Sequence, residues 1–549
     1  MATTNEEELK IPDEKKSGEP ASDEDGGRPA SYNQEQYYMS GPKLGIIIAS
    51  LCLALFLLGL DTAIVATAIP KTTERFNSTK DIGWYGSAYF LALCSVLPIG
   101  GKIYSEFSLK WTFLGFFSVF ELGSLLCAVA TSSKMLIVGR AVAGAGGSGI
   151  VSGIMTIIAH VIPLSQRAGY MAIGGATMGI STISGPLIGG ALTQKASWRW
   201  CFYINLPIGA VTAIVLVALF HPPIRPNEER PVIERAKRLD PIGAFLLTPA
   251  IIMVLLALQW GGNEHPWKSA TIIGLFCGFG ILFLVFIGWQ LHKGSGAMVP
   301  LRLLARRTIV STSLRSTCVF GSLFIVIYYI PEWFQVIKSA SPVKSGVMNL
   351  ALFVPQIIGS IIAGTMITKL GYCNPWIIAG TVLSAIATGL YSTLKVDSGH
   401  ALWIGFQVLN GVGAGFSMET PLTLAQTALS GEEAAVGISL VTFFQFFGSS
   451  IFLAIAETVF SNTLTSELTK HVPEVNPTTL MHIGTSAVRN FVTPEQLPAV
   501  LAAYDKAITS TFYVAASASA CSFFAASFAE WNSVKAGKQA AQDESQTEK

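Results

Sequence analysis

Apolar blocks of about 19–25 residues recur along most of this 549-residue chain, and charged side chains are rare within them. Charged residues make up 13% of the sequence, about half of the ~25% usual in a soluble domain. A helix of about 20 apolar residues crosses a bilayer core, where the backbone polar groups must be satisfied within the helix itself. The pattern predicts an all-α integral membrane protein and excludes a soluble enzyme, a disulfide scaffold and a disordered chain.

The number of blocks predicts fourteen transmembrane helices. An even number puts both tails on the same side of the membrane. The loops after predicted helices 6 and 8 are rich in Lys and Arg, which favours a cytosolic position for these loops and both tails. The blocks lie near residues 44–67, 84–103, 112–131, 135–159, 169–192, 202–220, 241–259, 270–291, 309–331, 345–368, 376–394, 401–424, 435–459 and 507–530.

The helices and the charge distribution divide the chain into five predicted parts. The polar, acidic first part reads as a disordered cytosolic tail, and a second short cytosolic tail ends the chain. Between them stand two six-helix halves and a linker with two inserted helices. The parts are residues 1–43, the N-terminal half 44–220, the linker 221–308, the C-terminal half 309–530 with a long outer loop at 460–506, and the tail 531–549.

Few residues outside the helices predict chemistry. Asn77 begins an Asn-Ser-Thr sequon in the first predicted outer loop, which predicts glycosylation. The 8 Cys and 7 His are scattered, so neither a metal site nor a disulfide framework is expected. The sequence contains no Walker A pattern, and its net charge of +2 does not indicate nucleic-acid binding. No cofactor, nucleotide or nucleic-acid partner is therefore expected.

An internal repeat supports the division into halves. The motif Arg-x-x-x-Gly-x-Gly at 140–146 is echoed by Gln-x-x-x-Gly-x-Gly at 407–413, and Gly101-Lys102 is echoed more loosely by Gly364 and Lys369. The separations, about 267 and about 263 residues, both correspond to eight helices. Predicted helices 1–6 are then equivalent to helices 9–14, with helices 7 and 8 inserted between them. Two parallel six-helix repeats are typical of major facilitator transporters.

Four motifs carry a closer resemblance. Predicted helix 1 contains LDTAIVATAIP at 60–70, helix 4 contains Gly139-Arg140, and helix 5 contains GPLIGG at 185–190, followed by WRWCFYINLPIG at 198–209. Over about residues 44–530 the sequence resembles the fourteen-helix drug:proton antiporters of the major facilitator superfamily, in particular their fungal toxin-efflux branch. The resemblance implies the superfamily fold with fourteen transmembrane helices, arranged as two halves plus two inserted helices.

The resemblance also implies a function. A protein of this kind exports hydrophobic small molecules (fungal toxins, secondary metabolites or drugs) by alternating access, in exchange for protons and without a cofactor. The plasma membrane is the expected location, with the vacuolar membrane as an alternative. A fourteen-helix importer or vacuolar carrier for amino acids or siderophores shares the fold and stays open. A membrane enzyme is disfavoured, because the sequence shows no cluster of catalytic residue types.

Asp61 and Arg140 are the predicted proton-coupling residues. Asp61 lies about 17 residues into predicted helix 1, where a carboxylate costs several kcal/mol unless it is paired, hydrated or protonated. Arg140 lies at a comparable depth in helix 4. The resemblance implies that both helices line a central cavity and that Arg140 takes part in coupling. A packing role for Asp61 and a membrane-surface position for Arg140 are the alternatives.

Two further motifs have predicted mechanical roles. Gly185 and Gly189 stand four residues apart, so they share a helix face and permit close approach of another helix, while Pro186 permits a bend; Gly190 completes this antiporter motif. The gating loop after helix 2 contains Gly101, Lys102, Glu106 and Lys110. The superfamily usually has an Asp at the position of Ser105, which leaves open whether Glu106 replaces that Asp.

Polar and aromatic side chains within the later helices are the predicted substrate cavity. An apolar cavity with few polar groups suits bulky, weakly polar ligands. Glu121 in helix 3 is expected to be structural, Glu457 to be hydrated and Arg315 to anchor a helix end. The predicted cavity residues are Trp333, Gln335, Gln356, Gln407, Asn410, Glu419 and Gln445.

Overall fold

The computed structural model describes residues 39–76, 81–222, 230–262, 265–429, 432–475, 477, 480, 488–528 and 530–531. Within them, a long helix stands at each of the fourteen predicted blocks, so the all-α prediction is confirmed. The long helices are α1 Gly41–Phe76, α2 Ile82–Glu106, α3 Leu109–Ala128, α4 Ser133–Val161, α5 Leu164–Lys195, α6 Asn205–Leu219, α7 Pro241–Trp260, α8 Ala270–Lys293, α9 Arg307–Val336, α10 Leu350–Leu370, α11 Asn374–Tyr391, α12 His400–Ser417, α13 Glu432–His471 and α14 Leu497–Ser527. The predicted glycosylation site Asn77 and most of both tails lie outside the described residues.

Twelve helices in the described ranges are long and apolar enough to cross a membrane: α1–α10, α13 and α14. Two of these spans include the short helices that precede α6 and α10, Trp200–Tyr203 and Pro342–Met348. The 18-residue helices α11 and α12 are not among the twelve.

The structure corrects two of the predicted boundaries. The single helix predicted over 401–424 is interrupted, because Pro421 opens a separate helix, Thr420–Ala428, and cannot donate a backbone hydrogen bond to the preceding turn. The loop predicted over 460–506 is shorter, since α13 continues to His471 and α14 begins at Leu497. Hydropathy marks only the apolar part of a helix, and the polar turns that continue it do not differ in composition from a loop.

The packing within the two halves repeats. In the N-terminal half, α1 packs on α5 and α4 packs on both α2 and α3. In the C-terminal half, α9 packs on α13 and α12 packs on both α10 and α11. Each helix pair in the N-terminal half corresponds to a pair in the C-terminal half whose helix numbers are higher by eight. The predicted internal repeat is therefore present in the packing.

Glycines of the repeated motif perform the same task in both halves. A Cβ added to Gly144 would stand 2.1 Å from the backbone oxygen of Tyr89 in α2. A Cβ added to Gly411 would stand 2.2 Å from the backbone oxygen of Leu352 in α10. At both places one helix backbone touches the next, which only a residue without a side chain allows.

One seam between the halves joins α2 and α13. A Cβ added to Gly101, in the predicted gating loop, would stand 2.6 Å from the Cβ of Ser439 and 3.0 Å from the backbone oxygen of Ala435. This contact lies near the end of α2 and the beginning of α13, on the side of the membrane predicted to be cytosolic. The halves therefore touch at that side.

A second seam joins α5 and α10. A Cβ added to Gly364 would stand 2.7 Å from both the backbone oxygen of Ala168 and the Cβ of Ala172. Ala168 and Ala172 precede Ala435 and Ser439 by 267 residues. The two seams are thus built from equivalent residues, and the loose echo of Gly101 in Gly364 marks the point where each seam is tightest.

The inserted pair α7 and α8 stands beside the first seam, because α7 packs on both α2 and α13. Asp240, at the start of α7, holds the pair together. Its carboxylate accepts hydrogen bonds from Trp289 Nε1 (2.8 Å), Gln290 Nε2 (2.8 Å) and the backbone nitrogens of Gly243 and Met298 (3.1 Å each). Burial alone would raise the pKa of Asp240, but these hydrogen bonds hold it below its usual value.

The glycine contacts predict a position-specific effect on stability. Gly411→Ala forces the α10 and α12 backbones apart, at a cost of about 1–3 kcal/mol, and lowers the melting temperature of the detergent-solubilised protein. Gly405→Ala is the matched control in the same helix, because a Cβ there meets nothing within 4 Å. Equal melting temperatures for the two variants would contradict the backbone contact.

The Asp240 contacts predict a pH effect on stability. A carboxylate whose pKa is lowered in the folded state stabilises that state above the ordinary Asp pKa, and this stabilisation is lost as the pH falls through the folded-state pKa. Asp240→Asn should therefore lower the melting temperature at pH 7, and the difference from wild type should narrow below about pH 4. The exposed Asp397→Asn is the control, and a difference that does not depend on pH would refute the role of the ionised group.

Candidate functional site

A buried ion pair joins the two predicted coupling residues. Arg140 Nη1 of α4 donates a hydrogen bond to Asp61 Oδ2 of α1, and the two residues are 1% and 0% exposed. Arg140 Nε also donates to the backbone oxygen of Tyr85 (2.9 Å), and its guanidinium lies 4.5 Å from the centre of the Tyr89 ring. Removing two charges from water is costly, and further hydrogen bonds such as these offset that cost.

Asn205, the first residue of α6, extends the ion pair to α3. Its Nδ2 donates to Asp61 Oδ1 (3.3 Å) and to Ser124 Oγ (3.0 Å). The side chains around Asp61 thus come from α2, α3, α4 and α6, all in the N-terminal half. The hydrogen-bond partners of Asp61, namely Arg140 and Asn205, therefore lie inside one half.

Glu121 of α3 belongs to the same region, although its sequence position predicted a structural role in a peripheral helix. Its carboxyl group interacts electrostatically with Asp61 and faces Gly209 of α6, where an added Cβ would stand 2.0 Å from Glu121 Oε1. The sequence contains one signal of this proximity, since Glu121 and Ser124 share a helix face by their spacing.

The antiporter-motif glycines pack on α1. An added Cβ at Gly185 would stand 2.4 Å from the Cβ of Ala63, and one at Gly189 would stand 2.2 Å from Thr67 Oγ1. The predicted close approach of a second helix is confirmed at these two positions. The surroundings of Gly190 are open, since a Cβ there meets nothing within 4 Å. Pro186 lies inside the continuous helix α5.

Gly101, Lys102 and Glu106 of the predicted gating loop lie in the last turns of α2, and the ion pair of this region forms within that helix. Glu106 Oε1 lies 3.6 Å from Lys102 Nζ, one turn earlier in α2, and Ser105 Oγ donates to the backbone oxygen of Lys102 (2.8 Å). Lys110 Nζ donates to the backbone oxygen of Val217 (2.7 Å), near the end of α6. Glu106 therefore takes up an ion pair at this loop, but with a partner from its own helix.

The predicted substrate-cavity residues do not share one site. Glu419 and Gln356 lie near the seam with α5: Glu419 Oε1 would stand 3.2 Å from a Cβ at Gly175, and Gln356 Nε2 donates to Met418 Sδ. Asn410 instead lines a small cavity inside the C-terminal half. The structure therefore places these predicted cavity residues in different surroundings.

The other predicted cavity residues are scattered in the same way. Trp333 is fully buried near the end of α9, and its Nε1 donates to Asp505 Oδ1 of α14 (2.7 Å). Gln407 of α12 and Gln445 of α13 are buried, whereas Gln335 is half-buried. The Gln407 side chain meets no hydrogen-bond partner among the described residues. Such a buried amide marks either a water site or a ligand contact.

Two charged residues outside the predicted sites also have defined partners. Arg315 was expected to anchor a helix end, but it lies inside α9 and is only 1% exposed. Its Nη2 donates hydrogen bonds to the backbone oxygen of Ser417 (2.6 Å) and to Thr420 Oγ1 (3.0 Å). It therefore bridges the interruption after α12. Glu457 is not simply hydrated, because its Oε2 accepts a hydrogen bond from Tyr329 (2.7 Å).

The ion pair predicts non-additive effects on stability. Asp61→Asn leaves the charge of Arg140 buried without its counter-charge, and Arg140→Gln does the same to Asp61. Each variant should therefore have a lower melting temperature. The double variant should lose less than the two single losses combined, by roughly 0.5–3 kcal/mol, since it buries no net charge. Additive losses in melting temperature or in unfolding free energy would show that the two charges are not coupled.

The family follows from comparison with known proteins. Residues 51–453 match the family described as Major Facilitator Superfamily. The "Efflux pump roqT" of Penicillium rubens is 43% identical over 486 residues, covering 88% of this chain and 90% of that protein. The "Efflux pump aflT" of Aspergillus parasiticus is 41% identical over 500 residues (91% and 97%), and the "Aspyridones efflux protein" of Neocamarosporium betae is 41% identical over 504 residues (91% and 89%).

Solved structures agree on the fold. The human organic anion transporter MFSD10 aligns with a TM-score of 0.55 at 13% identity, covering 87% of this chain and 100% of that one. The proton:xylose symporter XylE aligns with a TM-score of 0.55 at 13% identity, covering 86% and 94%. At this identity the likeness supports the fold alone. The family match and the efflux pumps show that this chain is a multi-pass membrane transporter rather than an enzyme, and that it belongs to the efflux transporters of the major facilitator superfamily.

Proposed function

We propose that this protein exports hydrophobic small molecules of the fungal secondary-metabolite or toxin class in exchange for protons. The observation that carries the proposal is the Asp61–Arg140 ion pair, buried inside the N-terminal half. A carboxyl group can hold a proton in place of its cationic partner, so protonation of Asp61 releases Arg140. An electrochemical gradient then drives the exchange, since one proton gains ~2.3 kcal/mol across 100 mV.

The two equivalent seams support alternating access. Contacts at Gly101 and Gly364 hold the halves together at the predicted cytosolic side. Opening that side requires both contacts to separate while the halves themselves move as units. The names of the relatives favour export over import: three of them are called efflux pumps or efflux proteins, and one name specifies aspyridones.

We further propose that α11 and α12 span the membrane, for a total of fourteen spans. Both occupy the positions in the C-terminal half that α3 and α4 occupy in the N-terminal half, and each is 18 residues long. With an even number of spans both tails lie on the same side of the membrane, and the loops rich in Lys and Arg after α6 and α8 favour the cytosol. The plasma membrane is the location consistent with export from the cell.

The test of export uses a yeast host that lacks its own multidrug pumps. Cells with and without this protein are loaded with hydrophobic dyes, among them rhodamine 6G and Nile red, with the proton gradient intact or collapsed by an ionophore. Lower accumulation that disappears on collapse supports the proposal. Higher accumulation, or no effect of any dye together with uptake of amino acids or siderophores, would instead indicate an importer or vacuolar carrier.

The role of Asp61 predicts a specific loss. Asp61→Asn keeps an oxygen that accepts the Arg140 hydrogen bond but cannot exchange a proton, so gradient-driven export should fall about 10²-fold or more while the protein remains folded and inserted. Export is measured as dye efflux, and folding as a monodisperse peak in size-exclusion chromatography. Asp397→Asn, at an exposed loop position, is the control. Undiminished export by Asp61→Asn would remove Asp61 from the mechanism.

A further inference from the structure

Glu121 is the buried carboxyl group next to Asp61 that the proposed exchange does not yet use. It lies on α3 and faces α6, on the side of the N-terminal half away from the seams with α10 and α13. The two helices come close at this point because Gly209 has no side chain: an added Cβ would stand 2.0 Å from Glu121 Oε1. Gly209 thus leaves the space that the carboxyl group occupies.

The surroundings of Glu121 favour a carboxyl group that carries a proton. Neither of its oxygens has a hydrogen-bond partner among the described residues. The charged and titratable groups of the neighbouring region include Asp61 of α1, the phenol of Tyr89 on α2, the thiol of Cys127 on α3 itself and Arg140 of α4, whose charge is already paired with Asp61. A second uncompensated negative charge beside Asp61 would be costly, whereas a neutral carboxyl group is not.

A polar connection leads from this region to Asp61. Asn205 Nδ2 donates to both Asp61 Oδ1 and Ser124 Oγ, and Ser124 is one helical turn from Glu121 on the same face of α3. Asn205 is 0% exposed, and its Oδ1 has no hydrogen-bond partner among the described residues. A fully buried amide oxygen without a donor independently indicates that a donor, such as a protonated carboxyl group, binds to it at another stage of the transport cycle.

We propose that Glu121 is a second proton-carrying residue of the transporter, which exchanges its proton with Asp61. The step is balanced: Glu121 loses the proton that Asp61 gains, and the net charge of the site does not change. Asn205 is a positioning residue that holds Asp61 Oδ1 and Ser124 Oγ together. Protons thereby reach Asp61 between α3 and α6, away from the seams between the halves.

This inference rests on the proposed proton exchange, so its test begins with the wild-type protein in proteoliposomes. Rhodamine 6G transport is measured in two modes: driven by an imposed proton gradient, and as dye-for-dye exchange at equal pH on both sides. Glu121→Gln should reduce gradient-driven transport about 10-fold or more while changing equilibrium exchange less than about twofold. Glu121→Asp should restore part of the driven transport, because a carboxyl group is again present.

Two comparisons separate proton transfer from folding. Gly209→Ala places a methyl group against the Glu121 carboxyl and should cause the same selective loss, with no further loss when Glu121→Gln is already present. Glu467→Gln, at the exposed end of α13, is the control for the loss of a carboxyl group. Each variant is also checked for its melting temperature.

The outcomes distinguish the two proposals. Undiminished gradient-driven transport by Glu121→Gln overturns the role of Glu121 and leaves the proposed function intact. An equal loss in both modes together with a lowered melting temperature shows a structural role and also overturns it. Wild-type transport that ignores the proton gradient overturns the proposed function, and the inference about Glu121 falls with it.

Discussion

Backbone contact between helices is the interaction on which both halves of this transporter depend. In a bilayer the lipid chains are as apolar as the side chains, so helices gain little from burying apolar surface and associate through close packing instead. Gly144 and Gly411 bring a helix backbone onto a neighbouring carbonyl group in each half. Because α4 and α12 are held in this way, the residues that they carry, including Arg140, have fixed positions.

The same kind of contact recurs between the halves, but with a different consequence. Gly101 and Gly364 each touch small residues of the opposite half, Ser439 and Ala435 in one seam and Ala172 and Ala168 in the other. Small residues allow close packing without interlocking side chains, so such a seam separates without repacking a core. This explains how one architecture combines rigid halves with a movable interface, as alternating access requires.

The charged residues of the N-terminal half depend on this packing in turn. Asp61, Arg140, Asn205 and Glu121 come from four helices and lie together only because α1, α3, α4 and α6 meet at one depth. Their location inside one half places the proposed proton chemistry apart from the seams. In the proposed exchange, coupling to substrate proceeds through the positions of α1 and α4, since α1 also packs against the antiporter-motif glycines of α5.

The sequence by itself determined the all-α membrane architecture, the positions of the helices, the eight-helix repeat and the presence of the charges Asp61 and Arg140 within apolar helices, because hydropathy, glycine spacing and a charge in an apolar block are local properties. Only the tertiary structure decided which face each helix turns to its neighbours. For that reason Glu121, expected to be structural, lies beside Asp61, while Trp333 and Asn410, expected at one substrate cavity, lie in separate places inside the C-terminal half. A rotation of one residue along a helix turns a side chain by 100°, and packing partners distant in the chain set that rotation.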